Sequence, residues 1–420
     1  MLGLFSFLAV LMYTTALAAP QESCLAHAAV TVPMVMQSLA PWLAARRMLT
    51  SNETAAAFKA ASRGVMPVLV YNASVFITRL PDDPLFRGFP VGQWVKPLGE
   101  LVQIAAADPD LRLEFMLNLG DNPLSTSAAT GVPVWGFSHQ TDFVDIAIPH
   151  YYVFPDEFCR DTRHRKPWSR RRNTVIGRFT HFCPRSKVTV RDDWRLCPRT
   201  YFTELTERMS NSTELVKLDI ATTNQLIDHY DRQYMSSDNT TVKARGHVPL
   251  HMFSDFKYVC VTDGYVGPGK LSAALALGSV VLIPASSYRQ YFEAALVPWV
   301  HFVPIWVNSR DDILGVVAWL HSNPLAARLR IAKAGRTFAC SHLGLSGRTC
   351  WWKSMATAYR EGLLGYELDD AWLESRRAAF GDDMLELTHE VLQCEAQTAD
   401  LTHNSLPSCV YKGPVTPTTQ

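Results

Sequence analysis

From about residue 111 onward, short apolar runs alternate with turn residues. LRLEFML at 111–117 reads as a strand and VWGF at 134–137 as another, with turn chemistry in Gly120-Asp121-Asn122-Pro123 between them. Thr174-Val175-Ile176 and the more strongly β-branched YVCVT at 258–262 predict two further strands, both buried. A glycine turn follows, then a short helix over 270–277, a stop at Gly278 and the strand 279–283. Together they describe a compact βαβ unit, which implies a parallel sheet. Helical spacing returns with Ile313, Val316, Val317 and Leu320, where Ser309 and Asp312 fit a capping box. Asn323-Pro324 starts one more helix, with proline in its first turn. Residues 19–86 are mixed and yield no clear elements, and beyond about Arg376 the pattern fades into a polar tail.

The 420 residues are 48% hydrophobic and 19% charged, enough for a large core and for two or three domains. A formal net charge of +1 supplies no overall field for nucleic acid, so any anion site is built locally. The basic stretch CRDTRHRKPWSRRRN at 159–173 leaves that unchanged. Without aromatic interleaving it reads as a solvated connection between domains or the rim of an anion site.

The amino terminus, MLGLFSFLAVLMYTTALAAPQ, is an uncharged apolar run ending in the small-x-small pattern Ala16-Leu17-Ala18, which predicts a signal peptide over 1–18. An uncleaved anchor is the alternative, but the run is short for a bilayer span and lacks a basic flank. No later run reads as long and apolar enough to span, so no stable span is expected after cleavage. Entry into the secretory pathway makes Asn52, Asn72, Asn211 and Asn239 candidate N-glycan acceptors. It also favours disulfides over zinc for the nine cysteines. Nearness in sequence suggests Cys183 with Cys197, Cys340 with Cys350 and Cys394 with Cys409. Cys260, inside an apolar run, is the candidate free thiol.

The segment VCVTDGYVGPGKLSAALALGSVVLIP at 259–284 comes close to a nucleotide-triphosphate P-loop and fails chemically. Such a loop needs a Ser or Thr hydroxyl directly after its lysine to ligate magnesium, and Leu271 stands there. Ser272, one residue later, is rotated about 100° around the helix, and Pro268 removes a backbone N–H from the turn. What survives is a glycine turn feeding a helix with Lys270 in its first turn. It suits a phosphate or diphosphate without a metal, and equally a plain tight strand-to-helix connection.

FKYVCVTDG, LALGSVVL, LVPWVHFVPI at 296–305, RDDILGVVAWLHSNPLAARLRIAKAGRTFA and Cys350-Trp351-Trp352 occur in an order that resembles glycosyltransferase family 90, the protein O-glucosyltransferases and capsular xylosyltransferases. FMLNLGDNPL at 115–124 and PVWGFSHQTDFVDIAIP at 133–149 resemble two further blocks of that family, so the likeness covers 111–364. It implies an α/β, GT-B-type fold of two Rossmann-like lobes around a cleft: an acceptor-side lobe over 19–165, a UDP-sugar lobe over 166–365 and a helical or polar tail over 366–420. It also implies an inverting, metal-independent transfer, with no cofactor, of glucose or xylose from a UDP-sugar to a protein or polysaccharide hydroxyl.

Carried over by position, Asp145 matches the catalytic base, with Asp142 its local competitor, and Arg178 and Lys270 match cations on the donor diphosphate. Asp263 and Gly264 belong to the same donor segment, and Ser279 is expected to help line the donor cleft. Two cations on departing UDP would offset the charge that builds as the glycosidic bond breaks. The chain departs from the family pattern at Phe179, Pro268, Lys270 and Gln290, all on the donor side. A sugar-nucleotide-binding relative without catalysis is therefore the competing expectation. The lumen of the endoplasmic reticulum or Golgi, or secretion, is the expected location.

Overall fold

The computed structural model describes residues 22–61, 64–78, 91–149, 154–160, 166–180, 182, 197–212, 216–223, 244–388, 392–394 and 409–411. The expected signal peptide, Asn239 and Cys183 lie outside them.

Two main sheets organise the α/β fold. The first contains β1 (Val65–Tyr71), β2 (Ser74–Ile77), β3 (Leu113–Asn118), β4 (Val134–Gly136) and, after the short β5 (His139–Gln140), β6 (Ile146–Ala147). The second contains β7 (Arg172–Phe179), β8 (Lys217–Thr222), β9 (Phe256–Cys260), β10 (Val280–Pro284) and, after the short β11 (Tyr288–Arg289), β12 (Val303–Ile305). Later in the chain β13 (Leu385–Leu387) returns to the first sheet. The strand orders are β13-β2-β1-β3-β4-β6 and β12-β10-β9-β7-β8. Helices pack against both: α1 (Glu22–Ala44), α2 (Pro198–Arg208), α3 (Leu271–Ala276), α4 (Asp312–Ser322), α5 (Lys333–His342), α6 (Leu345–Leu363) and α7 (Asp370–Phe380).

The second sheet is parallel throughout, as its apolar, two-face-buried strands predict. The expected unit β9–α3–β10 is present, and Gly278 ends the helical turn in the left-handed region at φ 68°. The chain passes from β7 to its outer neighbour β8 and then crosses back to β9. The carboxyl ends of β7 and β9 therefore diverge around a topological switch point, the usual ligand crevice of an open α/β sheet. The first sheet is mixed: β1 is antiparallel to β2 and β3, while β3, β4 and β6 are parallel.

A buried aromatic cluster ties α6 to the first sheet. The Trp135 ring stacks on Trp352 at 6.0 Å, lies 4.6 Å from Phe115 and meets Tyr359 edge-on at 5.2 Å. One apolar core runs from these strands through α6 into α3 and the inner face of the second sheet, and a second core fills that sheet's other face. The ladder between β5 and β11 adds a backbone link, with Gln140 opposite Tyr288 and His139 opposite Arg289.

In the segment expected as a helical or polar tail, β13 pairs with β2 and α7 delivers Arg376 to the buried carboxylate of Glu114, which also accepts from Tyr366 and Trp372. Other expectations change. Asp312 forms no capping box with Ser309; its carboxylate instead accepts the backbone N–H groups of Trp306, Val307 and Asn308. Cys340 pairs with Cys159 and Cys350 with Cys24, not with each other, since the two lie on different helices, α5 and α6, each facing a distant segment. Cys197 is also disulfide-bonded, and Cys394 lies opposite Cys409 in a short antiparallel pair. Cys260 is the buried free thiol, as expected. Residues 24–44 of α1 are long and apolar enough to cross a membrane, against the reading that no later run would be. In this fold α1 lies on α6 with Met34, Val35, Leu39 and Trp42 buried. Asn52, Asn72 and Asn211 are exposed.

Candidate functional site

At the switch point β7 delivers Arg178, Phe179 and Thr180, while β9 runs on into Val261, Thr262, Asp263 and Gly264. α3 begins directly after Lys270, whose ammonium donates to the Arg178 carbonyl at 2.6 Å. It also sits over the rings of Phe179 and Phe253 at 5.2 and 5.9 Å. Burial, with the nearby charge of Arg199 second, pushes the Lys270 pKa down to about 7.

Arg199 is the residue the sequence did not disclose. It is 7% exposed and enters from the first turn of α2. Its guanidinium spans the switch point, donating to Thr180 on one side and to Thr262 on the other. Gly264 leaves it room, because a Cβ there would sit 2.8 Å from Nη2 of Arg199. Asp263 accepts from Ser286, and burial lifts its pKa to about 6 against the pull of Ser286, Arg199 and Arg289. Lys270, Asp263 and Gly264 are thus brought together, with Arg199 added.

Arg178 comes only part of the way. Its Nη2 donates to Asp219 Oδ1 at 2.7 Å, its Nη1 to the carbonyls of Asp219 and Gly177, and its Nε to that of Gly246. The guanidinium is committed to the β7–β8 edge, so the Arg178 backbone, not its side chain, meets Lys270. Ser279 is not brought in. It precedes β10 at the amino end of the sheet, donates to the Phe256 carbonyl at 2.7 Å and accepts from Arg171 at 3.0 Å. A right-handed crossover returns the chain to that end before β10 starts.

The front half reaches this crevice through the β5–β11 ladder. Ser138 lies against the glycine turn, its Oγ 3.4 Å from where a Cβ of Gly267 would be. From the other side Gln290 donates to the Pro268 carbonyl at 2.7 Å. The Ser138 hydroxyl and the Gln290 carbonyl oxygen are buried beside Gly267 with no partner among the described residues, an arrangement suited to a polar ligand or water. Gln290 therefore anchors the turn where the family pattern has an acidic residue.

Asp145 is 1% exposed, immediately before β6. Its carboxylate accepts the N–H groups of Leu124 at 3.0 Å and Ser125 at 2.9 Å, and its backbone carbonyl contacts His139 Nδ1 at 3.2 Å. Burial raises its pKa to about 6, with the Leu124 and Ser125 amides pulling the other way. The side chain clamps the loop after β3, and only the adjoining backbone reaches the β5 ladder. Asp142 is exposed, and Asp121 is half-buried in the turn that Asn118 holds by accepting from Gly120 and donating to the Asn122 carbonyl.

The sequence pattern described as Glycosyl transferase family 90 matches residues 98–399. Protein O-glucosyltransferase 2 of Danio rerio is 31% identical over 257 residues, which is 60% of this chain and 48% of that protein. Protein O-glucosyltransferase 3 of Homo sapiens is 28% identical over 262 residues, 60% of this chain and 47% of that protein. Protein O-glucosyltransferase 1 of Rattus norvegicus is 22% identical over 285 residues, 63% of this chain and 65% of that protein. The chain therefore spans between 47% and 65% of these relatives' own lengths.

Proposed function

The chain belongs to glycosyl transferase family 90, and from that premise we propose that it moves a sugar from a UDP-sugar to a hydroxyl of a protein Ser or Thr. The two sheets act as the two lobes of a GT-B-type enzyme. The relatives' names support glucose as the transferred sugar, with xylose the alternative. The observation that carries the reading is the convergence of Arg199 and Lys270 at the switch point, where the missing side chain of Gly264 lets the Arg199 guanidinium lie against the turn. A diphosphate there is stabilised as charge develops on the departing UDP, so the transfer needs no metal. The acceptor oxygen attacks the anomeric carbon from the face opposite the leaving group and inverts it. The carbon–oxygen bond to the diphosphate breaks, UDP leaves with the bonding pair, and a carboxylate takes the hydroxyl proton.

Asp145 serves as that base, its raised pKa of about 6 placing it near the working range. The role requires the loop bearing Leu124 and Ser125 to release one carboxylate oxygen when the acceptor arrives. The test is transfer from a panel of UDP-sugars to Ser- and Thr-bearing acceptors, with and without EDTA, for wild type and for Asp145→Asn, Asp142→Asn and Asp121→Asn. Loss of turnover in Asp145→Asn alone, with donor binding retained and a melting temperature lowered by the weakened clamp but still above the assay temperature, is the expected result. Loss in Asp121→Asn or Asp142→Asn instead moves the base, and loss of wild-type turnover with EDTA refutes the metal-free mechanism.

A further inference from the structure

The amino end of the second sheet, opposite the crevice, carries an apolar surface that the transfer chemistry does not use. α4 has no charged side chain between Asp312 and His321, and it turns Gly315, Ala318 and Trp319 outward. A surface helix ordinarily turns polar residues to water. Trp319, 45% exposed, meets Trp299, 44% exposed, edge-on at 5.5 Å. Val297 and Val300 flank Trp299 in the same turn, and Leu325 and Leu329, 69% and 47% exposed, continue the surface after α4.

Charge follows the same surface. Residues 313–360 contain seven Lys and Arg and no Asp or Glu. Arg336 is spent on backbone carbonyls, Arg348 on Glu100 and Asp156, and Lys353 on Asp108. Arg328, Arg330 and Lys333, interleaved with Leu325 and Leu329, are exposed and have no acidic partner among the described residues. The amino-terminal end of α1 lies close by. His27 Nδ1 is 3.4 Å from His342 Nδ1, the His342 ring is 5.7 Å from Phe338, and Phe338 is 4.9 Å from His301 beside Val300. The sequence leading into α1 is the uncharged apolar run of residues 1–18.

We propose that this surface docks the protein on a lipid bilayer bearing anionic headgroups. Exposed tryptophan and aliphatic side chains enter the interface while arginine and lysine meet the headgroups, a division of labour typical of interfacial binding. A protein partner would explain the apolar face alone. The exposed Arg328, Arg330 and Lys333, without an acidic partner among the described residues and interleaved with exposed leucines, favour lipid. Docked this way, the crevice at the carboxyl ends of β7 and β9 faces away from the membrane, open to acceptors in solution.

The test uses protein purified from a secretory host, with its amino terminus determined, in co-sedimentation with vesicles of phosphatidylcholine alone or mixed with phosphatidylglycerol. Binding to the anionic vesicles is expected and should weaken with added salt. It should fall about tenfold or more in Arg328→Glu with Arg330→Glu, and likewise in Leu325→Ser with Leu329→Ser. Melting temperature and UDP-sugar binding should be unchanged in both variants. Absence of wild-type binding, or equal binding by wild type and both variants, overturns the proposal. So does a result in which the serine variant only abolishes self-association, which would make this face a contact between copies.

Discussion

Lys270 yields the most quantitative prediction, because its environment ties donor affinity to pH. Burial and the neighbouring Arg199 hold its pKa at about 7, far below a free lysine, so in the empty crevice it is half neutral near pH 7. A bound diphosphate adds negative charge beside the ammonium and raises that pKa, so binding takes up a proton wherever the empty site is deprotonated. Affinity then falls with rising pH by a factor of about 1 + 10^(pH − 7), roughly tenfold between pH 6 and pH 8. The sign is opposite for stability. A lysine whose folded pKa lies below its unfolded value penalises the folded state in its charged form, so the empty protein gains stability as pH rises from about 7 toward the unfolded value. Lys270→Arg, which stays charged throughout, is the control. Asp263 and Glu293, with pKa values raised by burial to about 6 and about 7, also titrate nearby, but they do so in both proteins. Calorimetric titration of a UDP-sugar at constant ionic strength, in buffers of differing ionisation heat, reads affinity and proton uptake together. Equal pH slopes in wild type and Lys270→Arg would refute the reasoning.

Gly264→Ala places a Cβ 2.8 Å from Arg199 Nη2, so the guanidinium must shift. UDP-sugar affinity should fall at least about tenfold, in line with loss of a charge-assisted contact, while the melting temperature changes little. Arg376→Met leaves the Glu114 carboxylate buried without its cation and should cost about 3–5 kcal/mol in urea unfolding. Cys24→Ser with Cys350→Ser opens a covalent loop of sequence separation 326 that pins α1 to α6. Destabilisation of about 2–5 kcal/mol is expected, with crevice residues and donor binding untouched.

Strands of the second sheet were legible because parallel, doubly buried strands are written as apolar runs, and β7, β9 and β10 stand where those runs do. β1 was not, although it is central to the first sheet. Its sequence, VMPVLVY, carries Pro67 where an interior strand should have a donor. The position is tolerated because Pro67 stands at the end of the β2 pairing, where its carbonyl still accepts the Thr78 N–H at 3.3 Å and only the return bond from Pro67 is missing. The capping box failed because Asp312 had better use for its carboxylate on three loop amides. Arg199 could not be read at all. It stands next to Cys197 and Pro198, 71 residues before Lys270, and only the packing of α2 on β8, with its first turn at the carboxyl end of β7, unites them. Ser279 could have been excluded, since a crossover from β9 deposits the residue before β10 at the amino end, away from any crevice.

The position of Asp145 links acceptor chemistry to loop order. Its carboxylate holds Leu124 and Ser125, its carbonyl contacts His139, and His139 is paired through the backbone with Arg289 beside the donor turn. Freeing the carboxylate for base catalysis loosens the loop after β3, while a donor in the crevice contacts the turn that Ser138 and Gln290 flank. If both events act on this one strip of backbone, the acceptor should bind more tightly once UDP is present. By reciprocity, UDP should bind more tightly by the same factor once the acceptor is present. Measuring both binding constants with and without the second ligand closes that thermodynamic cycle. A coupling factor of one would leave Asp145 as a structural clamp, and the base would have to be sought among the carboxylates nearer the solvent.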